Sequence, residues 1–233
     1  MVQLFSYVMR YDTGFAPNPF WGYCTLATCK PEIRRSAKIG DWIVGTGSAR
    51  LKRICGVGCF KLIYAMRVDK KLTFEQYSKD PQFKNKIPRF GIKEERGDNI
   101  YFVDENGRWY IRPSYHYEEP PEVWIGDLSG RYVLVSKHFF YFGREAIELP
   151  KEFRIIAHAI DDEHGLPKHR SEKIPREVVE KFIKWLESEY EPGCIGEPCE
   201  FEQEKSKEFF ENKPKLVPLQ GERRGRSARG RCR

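Results

Sequence analysis

At 233 residues, with 40% hydrophobic and 14% aromatic side chains, the chain carries enough apolar material for a packed core, which excludes wholesale disorder. No window approaches the ~20 apolar residues that span a bilayer, so an integral membrane protein is excluded. The net charge of +7 sits in residues 213–233, where eight Lys or Arg face one Glu; the balanced remainder makes this a basic appendage rather than a basic domain.

The opening MVQLFSYVMRYDTG lacks a basic region followed by an apolar stretch and a small-residue cleavage site, so no secretory signal is expected. An odd count of seven cysteines then points to free thiols in a reducing, cytoplasmic compartment. Leu4 to Arg10 is aromatic and β-branched enough for a strand. Pro17 and Pro19 forbid helix in the stretch that follows and force an extended loop. Pro31 to Ala37 is read as one helical turn carrying Arg34 and Arg35. The Gly40-Asp41 turn opens a strand at Asp41–Val44, and Gly45 and Gly47 let another group approach the strand end.

A further strand covers Lys61–Val68. Thr73 and Gln76 have the spacing of a capping box, so a helix starts there and Pro81 ends it. Residues 84–98 are polar and charged and read as loop. Two aromatic strands, Ile100–Val103 and Arg108–Arg112, flank Asn106-Gly107, a strong hairpin signal. Strands at Tyr132–Ser136 and Phe139–Phe142 follow. Between 175 and 190 the apolar period becomes helical. Beyond Glu200 order is expected to fade, which gives one domain over residues 1–200 and a basic, disordered tail over 201–233. Many short strands with few helices predict a mainly β, α+β fold, a curved barrel with peripheral helices.

Two stretches carry a family resemblance. One runs from Tyr11-Asp12-Thr13-Gly14-Phe15-Ala16-Pro17-Asn18-Pro19-Phe20 through Cys24–Pro31 to Gly40–Ser48. The other is Gly97–Tyr101 with Val133–Ser136 and Phe140–Gly143. Together, over roughly residues 3–190, they resemble the type 2 nucleotide modification associated domain family. The resemblance implies a link to modified bases in nucleic acid without stating a reaction. The order of Gly-Asp turn, strand, second strand and short helix is also similar to the PUA-like barrels. Their EVE and YTH members hold a nucleobase in an aromatic pocket.

A flipped base needs rings against its faces and donors and acceptors at its edge. The loop residues Tyr11, Phe15, Asn18 and Phe20 are the first pocket candidates, with Trp42, Thr46, Gly47 and Ser48 as a second wall and Asn99 and His116 as edge readers. Packing of the loop onto the barrel is the competing reading of the aromatics, and turn capping that of Asn99. Arg34, Arg35 and the tail residues Arg223, Arg224 and Arg226 are candidates for phosphate contact. Zinc ligation by the close cysteine pairs 24/29, 55/59 and 194/199, with His158, His164 and His169 nearby, is disfavoured by spacing, and no metal or cofactor is expected. The glycines match neither a phosphate-binding nor a dinucleotide-binding loop. A Cys nucleophile needs a His beside it, and Cys24 or Cys29 with His116 is the pair to watch.

These observations predict a module that binds DNA or RNA and recognises a modified or flipped base in an aromatic pocket. The alternative is an enzyme that makes, trims or removes a base modification. A protein-interaction module that docks on acidic partners through its tail is a third reading.

Overall fold

The computed structural model describes residues 2–157 and 174–219. In chain order the elements are β1 (Leu4–Val8), β2 (Cys24–Leu26), α1 (Pro31–Ser36), β3 (Trp42–Thr46), α2 (Ala49–Cys55), β4 (Lys61–Arg67), β5 (Lys70–Thr73), α3 (Phe74–Lys79), β6 (Tyr101–Val103) and β7 (Trp109–Ile111). They continue with α4 (Pro121–Ser129), β8 (Tyr132–Ser136), β9 (Phe139–Tyr141), β10 (Ile147–Glu148), α5 (Arg176–Glu189), β11 (Gly193–Cys194) and β12 (Lys215–Leu216). The mixed α+β class agrees with the sequence.

Local rules explain most of these boundaries. Thr73 Oγ1 accepts from the Gln76 N–H while the Gln76 side chain accepts from the Thr73 N–H, so the capping box that opens α3 is complete. Ser48 caps α2 by accepting from Leu51 N–H at 3.2 Å. Asn106-Gly107 turns the chain between β6 and β7 as expected. Proline stands in the first turn of α1 and of α4, where its missing N–H costs nothing.

The strands pair into three sheets. In the largest, β1 lies parallel to β3, β3 antiparallel to β4, β4 antiparallel to β9, and β9 parallel to β11, with β10 also on β4. A second sheet is ordered β2-β8-β5 and a third β12-β7-β6. The pairings among the described residues draw open sheets, with no ring of strands closing a barrel.

Period-2 alternation sends one face of the large sheet to each of two cores. Leu4, Trp42, Val44, Ala65 and Phe140 meet Val179, Phe182 and Leu186 of α5. Phe5, Tyr7, Ile43, Tyr64 and Met66 face the other way, toward Leu26, Ile33 and Leu134. The alternation slips once on β4, where Ile63 and Tyr64 both join the second group. The register shift between Gly45 and Thr46 accounts for it: Gly45 pairs with Tyr64 but Thr46 with Leu62, leaving Ile63 as the bulged residue. A third core, built around Phe74, Tyr77, Phe83, Ile100, Tyr101 and Trp124, supports β5–β8 and α4.

Several sequence expectations are corrected here. The chain stays folded past Glu200. Residues 201–219 lie against the domain, with β12 paired to β7 and Val217 buried. Their backbone is tied to the domain: Glu204 and Lys205 N–H groups donate to the buried Glu95 carboxylate at 3.0–3.2 Å. The charged loop 84–98 is likewise buried at its key positions, since Lys86, Glu95, Arg96 and Asp98 are at most 1% exposed. Lys86 Nζ donates to Asn18 Oδ1 (2.6 Å), Asn18 O (3.1 Å) and Tyr23 O (3.0 Å). Burial pulls Lys86 down to about 8, against the opposing influence of Asp98.

Cysteine pairing also differs. Cys55 and Cys199 form a disulfide across 144 residues, so the thiols are not all free and the argument from free thiols to a reducing compartment loses its ground at this pair. Among the described residues, no group of three or more His, Cys, Asp or Glu side chains is placed to hold a metal, and no helix is long and apolar enough to cross a membrane. His158, His164, His169, Arg223, Arg224 and Arg226 lie outside the described residues.

Candidate functional site

A cavity of about 610 Å³ opens where β1 ends. Four pieces of chain wall it. The strand end gives Tyr7 to Arg10, the loop after it gives Tyr11, Thr13, Phe15 and Ala16, the entry to α1 gives Cys29 and Lys30, and the turn before α4 gives Tyr115, His116 and Glu119. Glu200 closes the rim.

Each piece is held by identifiable contacts. The loop is pinned by Asp12, a buried residue whose carboxylate accepts from the Tyr141 hydroxyl and, at 3.1 Å, from Cys199 N–H. Burial raises the Asp12 carboxyl to about 6, against the lowering effect of the Tyr141 hydrogen bond. Glu200 N–H donates to Asp12 O at 2.9 Å, and the Glu200 carboxylate takes a bidentate pair from Arg50 at 2.6 and 2.8 Å. The same guanidinium covers the Tyr11 ring at 4.1 Å. With Cys199 tied to Cys55, the segment around Glu200 is a strap fastened across the loop at both charge and sulfur.

The rings stand in a group. Phe15 stacks on Tyr115 at 5.4 Å between centroids and meets the His116 ring edge-on at 5.0 Å. Lys30 Nζ sits 4.5 Å from the Tyr7 ring centre, and burial lowers its pKa.

Behind the rings lies a buried polar cluster centred on Asp127. Its Oδ2 pairs with His116 Nδ1 at 2.8 Å and accepts from Tyr101 Oη at 2.9 Å; its Oδ1 accepts from Cys29 N–H at 2.6 Å. The fully buried Arg34 donates to the backbone oxygens of Cys29 (2.7 Å), Tyr132 (2.8 Å) and Asp127 (2.6 Å). Burial works against a charge on His116, but the hydrogen bond to Asp127, with the neighbouring Cys29, outweighs it and raises the imidazole to about 10.

A group whose folded pKa exceeds its unfolded value binds protons more tightly in the native state. The stability it contributes is fully present below ~6.5, the unfolded histidine value, and is lost as pH rises through about 10. Comparing the unfolding free energy of wild type with His116→Gln should therefore show a gap that narrows steadily from pH 6 to 10.5. A gap independent of pH would mean that the ring carries no charge in the fold.

Of the residues singled out in the sequence, Tyr11, Phe15 and His116 meet in this cavity. The second proposed wall does not join them. Trp42 is 2% exposed on the α5 side of the sheet, stacked on Phe140. Thr46 is buried in β3, and the Ser48 hydroxyl is engaged as the α2 cap. Gly47 makes room for backbone rather than ligand, because a methyl group there would strike the Val57 and Gly58 carbonyl oxygens.

Asn18 is completely buried. Its amide donates to Arg96 O at 2.6 Å and its oxygen is used by Lys86 and Phe20 N–H, so it braces the loop and has no free edge to read a base. Asn99 is buried too, donating to Tyr77 O and Phe83 O, both at 3.3 Å. Phe20 packs with Trp21 and Phe201 beside a different recess. Arg34 is turned inward, away from any phosphate, whereas Arg35 is half-exposed beside Glu32. Cys29, and not the fully buried Cys24, is the thiol that shares the cavity wall with His116.

Sequence reading missed Lys30, Tyr115, Glu119, Glu200 and Asp127. Tyr115-His116-Tyr117 is an aromatic cluster after a proline, a signal of the kind used for the first loop. Nothing local announces the other four.

A family model described as nucleotide modification associated domain 2 matches residues 1–205. No curated protein and no solved structure matches the chain.

Proposed function

The chain belongs to the nucleotide modification associated domain 2 family, and from that premise we propose that it binds a nucleobase-containing ligand in the cavity between β1 and the turn before α4. The observation that carries this reading is the meeting of Tyr11, Phe15, Tyr115 and His116 around one cavity of about 610 Å³, within the usual range for small-ligand sites. Flat rings stack on a base through its π face, and Thr13, Lys30, Glu119 and Glu200 place donors and acceptors of both signs at the same wall. The ligand is a modified or extruded base of DNA or RNA, held much as the PUA-like readers hold theirs. Arg35 and the tail residues Arg223, Arg224 and Arg226 attract the phosphate backbone without reading sequence.

Titration with short oligonucleotides carrying modified or plain bases tests the reading. Modified or unpaired bases should bind more tightly than paired plain ones. Stacking is worth ~1–3 kcal/mol per base, so Tyr11→Ala, a change at a half-exposed ring that leaves the cores untouched, should weaken binding roughly 5- to 150-fold. Equal, salt-labile affinity for every oligonucleotide, unaltered in Tyr11→Ala, would leave only the tail as a binding element.

A further inference from the structure

Stacking a base gives no task to Cys29, which shares the cavity wall with His116. Its backbone has a φ of 56°, a left-handed conformation that a residue with a side chain keeps only where its surroundings over-determine it. Two anchors do so here: its N–H donates to Asp127 Oδ1 at 2.6 Å and its carbonyl accepts from Arg34 Nε at 2.7 Å. The second oxygen of that carboxylate fixes His116 through Nδ1 at 2.8 Å. One buried side chain thus aligns both the cysteine and the imidazole, and both residues line the same cavity. The spatial order is thiol, imidazole, carboxylate, opening on a cavity sized for a small ligand.

We propose that Cys29 is a nucleophile, with His116 as its proton acceptor and Asp127 as the residue that positions both, acting on the acyl carbon of an amide or ester carried by the base-containing ligand. The substrate class rests on the ligand reading above; the nucleophile does not. The acyl class follows from the parts. A thiol beside an imidazole suits a carbon that first accepts sulfur and then expels a nitrogen or oxygen leaving group needing a proton.

In the first step the neutral form of His116, a minority form at neutral pH because its pKa is raised to about 10, takes the Sγ–H proton and Sγ bonds to the carbonyl carbon. Lys30, the next residue and part of the same wall, offers a cation to the oxyanion that develops. The carbon–nitrogen or carbon–oxygen bond then breaks, and the departing amine or alcohol takes the proton from His116. In the second step His116 takes a proton from water, the resulting hydroxide attacks the thioester, and Sγ leaves with that proton. The products are a carboxylic acid and the deacylated base, with the thiol restored.

The test uses the whole chain and three probes. Iodoacetamide, read by peptide mass spectrometry, should alkylate Cys29 at least ~10-fold faster than the more exposed Cys59 and Cys194. His116→Gln should erase that excess while leaving Cys59 and Cys194 unchanged. p-Nitrophenyl acetate should leave an acetyl group on Cys29, and acetylated cytidine should release acetate in wild type but not in Cys29→Ser. Should Asp127 or His116 variants fail to fold, the ranking of the three thiols in wild type still decides. Cys29 reacting no faster than the exposed thiols, with no acetyl transfer, overturns the nucleophile; bases that still bind wild type would then leave the binding reading standing. Rapid, His116-dependent labelling and acetylation from p-nitrophenyl acetate, with no base-containing compound bound or turned over, keeps the nucleophile and overturns the ligand assignment.

Discussion

Trp42→Ala is expected to cost about 3–5 kcal/mol of folding stability, in the range for truncating a buried large aromatic, while leaving ligand affinity of the folded protein unchanged. Trp42 is 2% exposed and belongs to the core that joins the large sheet to α5. Its ring lies 6.4 Å from that of Phe140, nearly parallel at 19°, and His138 meets it edge-on at 5.6 Å. The cavity rings belong to other faces: Tyr7 points to the opposite side of β1 from Leu4, and Phe15 sits in the core under α4. Since a whole domain holds only about 5–15 kcal/mol, the loss should appear as a large fall in denaturant midpoint with an unchanged slope. Loss of binding with the midpoint intact would return Trp42 to the ligand wall and undo the separation of the two faces.

That contrast shows where the sequence was legible. The capping box at Thr73 and Gln76, the Asn106-Gly107 hairpin and the amphipathic run of α5 are local devices, written within a few residues, and they read correctly. The helix α2 was hidden because its cap, Ser48, follows two glycines that resemble a ligand-approach loop. The helix α4 gives no clear stripe, with apolar Val123, Trp124 and Ile125 in a row, so its period does not stand out. Tyr11 and Phe15 were found because aromatics on a proline-bounded loop are unusual without a partner. The charged residues were misread for a common reason. Arg34, Lys86, Glu95 and Arg96 look solvated in a sequence, where many of the partners that make burial tolerable are 60 to 110 positions away. The closeness of Cys29, His116 and Asp127 is of this kind: three pieces of chain are gathered by tertiary pairing alone.

Asp127→Ala is expected to be the most damaging single change in the site, at about 3–5 kcal/mol, the cost of leaving a buried charge without its partner. Arg34 has no exposed surface, and Asp127 Oδ1 at 4.0 Å is its counter-charge. Burial already lowers the Arg34 pKa, and Asp127 is the first influence opposing it. Truncation also strands the buried Tyr101 hydroxyl and the part-buried Cys29 N–H. Asp127→Asn keeps one acceptor oxygen, so it should lose less, about 1–3 kcal/mol. Arg34→Met combined with Asp127→Ala should recover part of the loss, because the two changes remove both charges together. The readout that separates anchoring from packing is the thiol: Asp127→Asn should slow alkylation of Cys29 even at temperatures where the variant is fully folded, since the carboxylate that aligns His116 is gone. A folded Asp127→Asn protein whose Cys29 reacts as fast as wild type would reduce Asp127 to a structural ion-pair partner and detach it from the chemistry of the cavity.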